Sequence, residues 1–480
     1  MNQNTSNVSD KIINYLQELF GNEEVENYLQ FISQSTNQYI RVNRLKISVD
    51  DLQKLLEKDY NIHSEKIESI PSALKIISDE NKLLSKTIEH ITGKYYIQSL
   101  SSMVPPLVLS PCYDDIVLDL CSAPGSKTTQ LAEMMNNQGT LIANEVQMDR
   151  LKSLVYNIDR MSISNAGIMH TKGEWLQQYY ENHFDKILVD APCSGLGIIQ
   201  KKGEVSNWWS VDRAKNLSDL QYKLLVAAVK MCKPGGEIVY STCTMTIEEN
   251  EMVIDKVCSK YPLEIVPVEV PVNSVEAFTS FKENSFIKDL NKAKRIIPWK
   301  INSEGFFLVK LRKTEYTQPN SEIKKITPSI IFTPHNKLSH FFSQLNDEFG
   351  INENIFHNYK YIVKTNDIFF VDANWVDDYP DKFTRIGIKF GSIDKNKKFI
   401  LHTNAVEIFQ KYISKKIITL QDNNELKKYL EGGIIKRETG LRGQVVIKYK
   451  YSIIGTAVVS DNGIKSRFPR AKRTQEIHKD

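Results

Sequence analysis

The chain has 480 residues, 41% hydrophobic and 25% charged, with 62 Lys and Arg against 58 Asp and Glu for a net charge of +4. That mix excludes collagen-like, low-complexity and wholly disordered chains and suits about three globular domains. Because charge is nearly balanced, only local basic clusters could announce a nucleic-acid partner. No apolar run approaches the roughly 18 residues of a membrane span; Ile453–Ser460 is among the longest. The start MNQNTSNVSDKI lacks the basic and apolar regions of a secretory leader. Six cysteines are too sparse for a disulfide scaffold and lack close C-x-x-C pairing. The sequence therefore predicts a reduced, cytoplasmic chain without a zinc or other metal site, not associated with a membrane, and by default monomeric.

Residues 1–98 read as a mostly helical extension. Ile12–Phe20 and Val25–Ile32 repeat apolar residues at helical spacing, after the polar start Asn2–Ser9. Tyr39–Ile47 alternates apolar residues with Arg41, Asn43 and Lys46, as a short half-exposed strand would. Residues 99–313 change character. Candidate strands at Asp115–Leu120, Thr140–Val146, Ala166–His170, Phe184–Asp190, Glu237–Thr242 and Gly305–Leu311 alternate with helix-like stretches at Thr128–Met135, Asp149–Met161, Leu217–Cys232 and Glu248–Tyr261. That alternation predicts an α/β domain with a mainly parallel sheet covered on both faces. Thr314–Thr327, within 314–327, reads as a linker. Residues 328–480 form a C-terminal region with strand candidates at Gln444–Tyr451 and Ile453–Val459, and a tail that gathers Lys465, Arg467, Arg470, Lys472 and Arg473. No internal repeat is present.

The strand DIVLDL runs into Cys121-Ser122-Ala123-Pro124-Gly125-Ser126-Lys127 and then a helix. A turn of small residues there lets backbone N–H groups and a helix N-terminus face a ligand. Glu145 ends the next strand, twenty positions after Gly125, where doubly wound folds place a carboxylate for ribose hydroxyls. The loop is neither a Walker A motif nor a clean G-x-G-x-x-G, which favours a nucleoside with a small charged tail over a phosphate-bearing cofactor; S-adenosylmethionine fits. The plain alternative is a tight turn made by Pro124 and Gly125.

Two cysteines follow strand ends: Cys193 in Asp190-Ala-Pro-Cys-Ser-Gly, and Cys243 in Ser241-Thr-Cys-Thr. Open α/β sheets hold ligands at such positions. Carbon 5 of a pyrimidine becomes nucleophilic once a thiolate adds to carbon 6, and sulfur is suited to that addition. An acid beside N3 must then steady the ring. Asp190, on the Cys193 loop, could donate to N3 if protonated or accept from the 4-amino group if ionised, and the sequence does not choose. Cys112, Cys121, Cys232 and Cys258 read as small buried hydrophobes, with Cys232 and Cys258 at helical positions.

Taken together, LDLCSAPGSKTTQLAEMM, NEVQMDR, DKILVDAPCSGLG and PGGEIVYSTCTMTIEENE resemble the Sun (Fmu) family of RNA cytosine-5 methyltransferases, with weaker agreement at IRVNRLKIS, GKYYIQSLSSMVPP and RIIPWKINSEGFFLVKLRK. The layout, down to GIKSRFPRAKR, is similar to the bacterial RsmF type that acts on small-subunit ribosomal RNA. The resemblance implies a Rossmann-like S-adenosylmethionine-dependent methyltransferase domain, flanked by an RNA-binding N-terminal extension and a C-terminal PUA-like α+β module near Thr384–Arg473. It implies that Cys121–Lys127 holds the methionine part of the cofactor, Glu145 the ribose, and that Asp190 lies beside cofactor and base, with Arg150 in support. It makes Cys243 the nucleophile and Cys193 the residue that assists product release; thiol chemistry alone would not assign those roles.

Two positions depart from the family pattern. Lys172-Gly173 stands where Asp-Gly contacts adenosine, and a Lys cannot accept that hydrogen bond. Trp299 replaces a common His and has no acid–base capacity. On the RNA side, Lys201 and Lys202 read as phosphate contacts, Trp208 and Trp209 as packing residues, and the C-terminal cations as further phosphate contacts. A cytosine leaving a duplex needs a deep basic cleft. The rival readings are the same chemistry on transfer RNA and a catalytically decayed RNA-binding assembly factor; an N6-adenine enzyme is disfavoured because DAPC stands where D/N-P-P-aromatic is required.

Overall fold

A computed structural model of the chain describes residues 8–318 and 332–473. The predicted helical start is present as α1 (Asp10–Phe20) and α2 (Asn22–Ser33), joined by Gly21 at φ 87°. The rest of this lobe corrects the mostly helical expectation. A four-stranded antiparallel sheet, β1 (Gln38–Val42), β2 (His63–Lys66), β3 (Ala73–Ser78) and β4 (Tyr95–Ile97) in the order β2-β3-β1-β4, packs on α3 (Val49–Tyr60). β1 stops short of the predicted Ile47 because Asn43 turns the chain. Its amide donates to the Gly93 and Met161 carbonyls while its Oδ1 accepts from the Leu45 N–H.

The central domain follows the predicted alternation. Its parallel strands are β5 (Ile116–Asp119), β6 (Thr140–Asn144), β7 (Ala166–Met169), β8 (Phe184–Asp190) and β9 (Cys232–Thr242), ordered β7-β6-β5-β8-β9. Successive residues alternate faces. Val117, Leu141, Leu188 and Val239 pack under α4 (Ser126–Met134) and α5 (Met148–Met161). Leu118, Ile142, Ile187 and Ile238 pack under α6 (Val211–Met231) and α7 (Glu251–Cys258). Burial on both faces explains why these strands read as unbroken apolar runs.

The sheet is parallel only at its centre. β10 (Leu263–Val266), β11 (Val275–Glu276), β12 (Lys294–Ile296) and β13 (Phe306–Lys313) extend it antiparallel beyond β9. β9 begins at Cys232 and includes the Lys233–Gly236 stretch, so Cys232 is a strand residue rather than a helical one. Among the described residues no helix is long and apolar enough to cross a membrane.

The linker expected at Thr314–Thr327 lies outside the described residues from position 319 onward. Beyond it stand β14 (Tyr359–Lys364), β15 (Asp367–Asp372), β16 (Phe383–Ile386), β17 (Ile388–Ile393) and β18 (Phe399–Leu401). β14-β15-β17-β18 form one sheet, whereas β16 pairs antiparallel with β7 and closes the far edge of the central sheet. β19 (Ile417–Thr419), β20 (Ile434–Ile435), β21 (Gly443–Tyr449), β22 (Ser452–Ser460) and β23 (Gly463–Ser466) form a last sheet, ordered β19-β21-β22-β23-β20. A boundary at Thr384 would cut through β16, and the sheet holding β17 and β18 already begins at Tyr359.

Glu407 locks the three parts together. Fully buried, it meets Lys46 of the N-terminal lobe at 2.8 Å, Lys472 of the tail at 3.3 Å and the Ser162 hydroxyl of the central domain at 3.0 Å. Lys472 is thus buried and paired, which removes it from the expected surface cluster. Burial pushes Lys46 down to about 8 despite the carboxylate beside it. Removing that carboxylate strands two buried cations, so Glu407→Ala is expected to cost about 3–5 kcal/mol in denaturant unfolding.

Candidate active site

The strand order reverses direction between β5 and β8, and the crevice outside that point is where open α/β sheets bind ligands. Three loops meet there. The first is Cys121–Lys127, after β5. Gly125 sits at φ 103°, and a Cβ on it would come within 3.0 Å of the Leu154 side chain, so the turn requires glycine. The Ser122 N–H and hydroxyl both donate to the Asn144 carbonyl, at 2.9 and 2.8 Å, fixing the loop against β6. Cys121, Ser122, Ala123, Pro124, Ser126 and Lys127 line a cavity of about 200 Å³, with Asp119 at its floor.

Asp119 lies inside the predicted strand Asp115–Leu120, where nothing in the sequence marks it as a site residue. Thr128 donates to its Oδ2 at 2.7 Å, while Oδ1 is buried without a partner. Burial, opposed by Thr128 and reinforced by Asp190, pushes this carboxyl up to about 7. Glu145, just past β6, accepts from the Gln147 N–H at 2.8 Å. Arg150 bridges it, at 3.6 Å, to the Ala123 carbonyl. Lys172 turns away from the crevice and lies 4.6 Å over the ring of exposed Trp175, whereas Gly173 and Glu174 line the cavity.

The second and third loops bring the predicted cysteines together. Cys193 Sγ and Cys243 Sγ are 2.9 Å apart. The hydrogen bond to Cys243, with burial behind it, pushes the Cys193 thiol well above its ordinary range. Asp190 accepts from Lys127 Nζ at 2.7 Å and from the Ser241 hydroxyl at 2.8 Å. Burial alone would lower the Lys127 ammonium, but Asp190, and beyond it Cys243, hold it above its ordinary value. Lys127 also donates to Ser102 at 3.0 Å and lies 5.0 Å over the Phe306 ring. A cavity of about 650 Å³ runs from Glu145 and Arg150 past both cysteines to Lys202 and Trp208.

Behind the thiols, Glu249 braces both cysteine loops. It accepts from the Ser194 N–H at 2.8 Å, from the Ser194 hydroxyl, from Thr246 at 2.8 Å and from Gln221 at 2.9 Å; Gln221 also donates to the Pro192 carbonyl. Burial raises this carboxyl, against the pull of those four donors. The residue stands in the quoted stretch TMTIEENE, but side-chain reach across 55 positions has no local signature. α1 adds an outer brace: the Tyr15 hydroxyl donates to Glu248 at 2.6 Å and accepts from the Ile247 N–H.

Other expectations divide. Trp209 is buried with its indole N–H on the Ser194 hydroxyl, but Trp208 is 37% exposed at the cavity mouth, with Arg213 4.3 Å over its ring. Lys201 is paired with Glu304 at 3.0 Å, which leaves Lys202 as the lysine facing the cavity. Trp299 packs between Phe20 and Tyr28 and donates to Glu24, so it docks the first two helices. Of the four cysteines expected to be buried, Cys232 is buried, Cys121 and Cys258 are half-buried, and Cys112 is exposed in the turn before β5.

Residues 106–312 match the family model of the 16S rRNA methyltransferase RsmB/F, and residues 8–100 that of the N-terminal domain of 16S rRNA methyltransferase RsmF. Over 478 residues the chain is 32% identical to a ribosomal RNA small subunit methyltransferase F from Shewanella sp. strain MR-4, covering 95% of this chain and 94% of that one. A second relative of the same name, from Shewanella sp. strain W3-18-1, is 33% identical over 472 residues, with the same coverage. The crystal structure of a methyltransferase homolog protein from Pyrococcus horikoshii is 32% identical, with a TM-score of 0.56, covering 62% of this chain and 93% of that one.

Because Glu249 has no cation beside it among the described residues and is held by neutral donors, Glu249→Gln should keep most of the brace. Glu249→Ala leaves buried donors without an acceptor, which costs about 1–3 kcal/mol per group. Unfolding curves should therefore separate the two variants by at least about 2 kcal/mol, with the alanine form less stable.

Proposed function

This chain belongs to the RsmF family of ribosomal RNA small subunit methyltransferases, and we propose that it methylates carbon 5 of cytosine in 16S ribosomal RNA through a covalent cysteine adduct at carbon 6 of the base. The observation that carries this reading is the pair of thiols 2.9 Å apart beside Asp190, at the junction of a small polar cavity and a larger one open to Lys202 and Trp208.

The small cavity fits the methionine tail of S-adenosylmethionine, and the adjoining part of the larger one its nucleoside. The floor of the small cavity holds a buried carboxylate oxygen without a partner, Asp119 Oδ1, suited to the amino group of a methionine tail, and its wall is a turn that only glycine can make. Cys121–Lys127 would hold that tail, Glu145 the ribose, and Gly173 with Glu174 the adenine side, since Lys172 is drawn onto Trp175. When bound, S-adenosylmethionine supplies an electrophilic methyl group.

The protein's own residues do the rest. The Cys243 sulfur adds to carbon 6, which pushes electron density onto carbon 5. Asp190, whose two oxygens already accept from Lys127 and Ser241, is placed to accept from the 4-amino group of the base. After methyl transfer, a solvent base takes the carbon 5 proton, the freed electron pair re-forms the bond between carbons 5 and 6, and the carbon 6–sulfur bond breaks with its pair returning to Cys243. Cys193 keeps its proton at neutral pH, so its S–H is available as a donor to the departing Cys243 sulfur. The raised proton affinity of Cys193 supports its assignment as the residue that assists release.

Lys202, which has no acidic partner among the described residues, and the Arg213–Trp208 stack at the cavity mouth suit phosphate and an extruded base. The reading extends to a chain organised as residues 1–98, 99–313, 314–327 and 328–480, with RNA-binding N-terminal and PUA-like C-terminal parts, working as a cytoplasmic monomer free of membranes.

Incubated with S-adenosylmethionine and 16S ribosomal RNA, Cys193→Ala should accumulate a protein–RNA adduct that survives denaturation, and Cys243→Ala should form none and lose activity. An active Cys243→Ala enzyme would overturn the assignment, and adduct on transfer RNA alone would move the substrate. For the cofactor, Asp119 must be ionised to hold an ammonium group. Affinity for S-adenosylhomocysteine, measured by calorimetry, should therefore fall about tenfold from roughly pH 8 to pH 6, through the Asp119 value of about 7. Asp119→Asn should bind more weakly and lose that dependence.

A further inference from the structure

A second opening shares no residue with the reaction cavity: a cleft of about 720 Å³ between the N-terminal lobe and the last two sheets. One wall is α3, which presents Lys54 and Lys58 one turn apart on the same side. The other wall carries Lys411 and Lys448, together with the β21–β22 hairpin, where Tyr451 is 86% exposed at the tip. Aliphatic side chains such as Leu55 and Ile413 lie between the walls.

The charge in the cleft is unbalanced. Lys46 is satisfied by Glu407, Lys94 by Glu89 and the Ser452 hydroxyl, and Asp59 by Lys450. Asp51 accepts from the Ser48 hydroxyl. No carboxylate among the described residues lies within salt-bridge distance of Lys54, Lys58, Lys411 or Lys448, which leaves four free cations facing one unpaired acid. Like charges converging across a gap repel one another, so holding them there gains only when an anion enters. Their arrangement on two walls, with an exposed aromatic ring at the rim, suits a chain of phosphates whose bases can stack.

We propose that this cleft is a second RNA site, which takes a single-stranded segment with its phosphates along Lys54, Lys58, Lys411 and Lys448 and a base stacked on Tyr451. The inference rests on the RNA substrate proposed above. It adds that the two outer lobes grip one strand jointly, away from the reacting base. Because Glu407 fixes those lobes against each other beside the cleft, the two walls need not rearrange to receive the strand.

The test uses the full chain, 16S ribosomal RNA, and an unstructured oligouridine of about 20 nucleotides, a length that spans more than one site of this kind. Lys54→Glu with Lys58→Glu, and separately Lys411→Glu with Lys448→Glu, should each weaken binding of both RNAs at least about tenfold. Each pair should also flatten the slope of affinity against salt by about 1.4, as expected for two lost contacts to single-stranded phosphates. Tyr451→Ala should weaken binding with the slope unchanged. KM for ribosomal RNA should rise in all three while kcat holds, and affinity for S-adenosylhomocysteine should stay at the wild-type value. If the second pair fails to fold, Lys411→Glu alone should lower the slope by about half as much. Wild-type affinity and slope in both lysine pairs would overturn the proposal, as would a polyglutamate peptide bound at the cleft in preference to oligouridine, which would mark a protein partner. A wild-type chain that binds neither RNA would sink the proposed function itself.

Discussion

Two sulfur atoms in hydrogen-bond contact set the terms for the rest of this molecule. Thiols do not hold each other strongly, so the 2.9 Å contact between Cys193 and Cys243 must be imposed from outside. β8 and β9 are parallel neighbours and bring the two loops side by side. Glu249 then ties the Ser194 end of one loop to the Thr246 end of the other, and Gln221 anchors the same carboxylate to α6. α1 and α2 press on the outside through Tyr15 and an apolar cluster that includes Leu196, Trp209, Met245 and Ile247. The N-terminal helices thus belong to the site as much as to the lobe that begins with them.

Charge in the crevice follows the same economy. Asp190, Lys127 and Ser241 form a closed set in which the lysine's charge is held by the carboxylate beside it and the carboxylate's oxygens are both engaged. Asp119 lies deeper and has one oxygen to spare. Two acids within one crevice are thereby set apart: Asp190 is oriented by a protein donor on each oxygen, while Asp119 keeps one oxygen without a partner among the described residues.

The central domain was legible because its strands are buried on both faces and its loops carry short motifs at their ends. Every strand predicted between Asp115 and Leu311 is present, and Cys121–Lys127, Glu145, Asp190, Cys193 and Cys243 converge. What escaped depends on partners remote in sequence. β2 reads HSEK, with no apolar period, and is a strand only because β3 pairs with it. Lys472 looked like a surface cation and is buried by Glu407, 65 positions away. Trp208 and Trp209 are adjacent and alike, yet the end of a short helix sends one to the cavity mouth and the other into the core. Composition cannot separate such twins.

Phe383–Ile386 lies along the open side of Ala166–Met169, and its first ring rests where Gly167 leaves room for no Cβ. The catalytic sheet therefore finishes on a strand borrowed from the other half of the chain. A protein cut back to the catalytic half would bare an apolar ladder of unpaired peptide groups, the kind of rim on which a second molecule can lay its own backbone. Such a fragment is expected to self-associate, so the C-terminal half covers this edge as well as serving any role it has in gripping RNA.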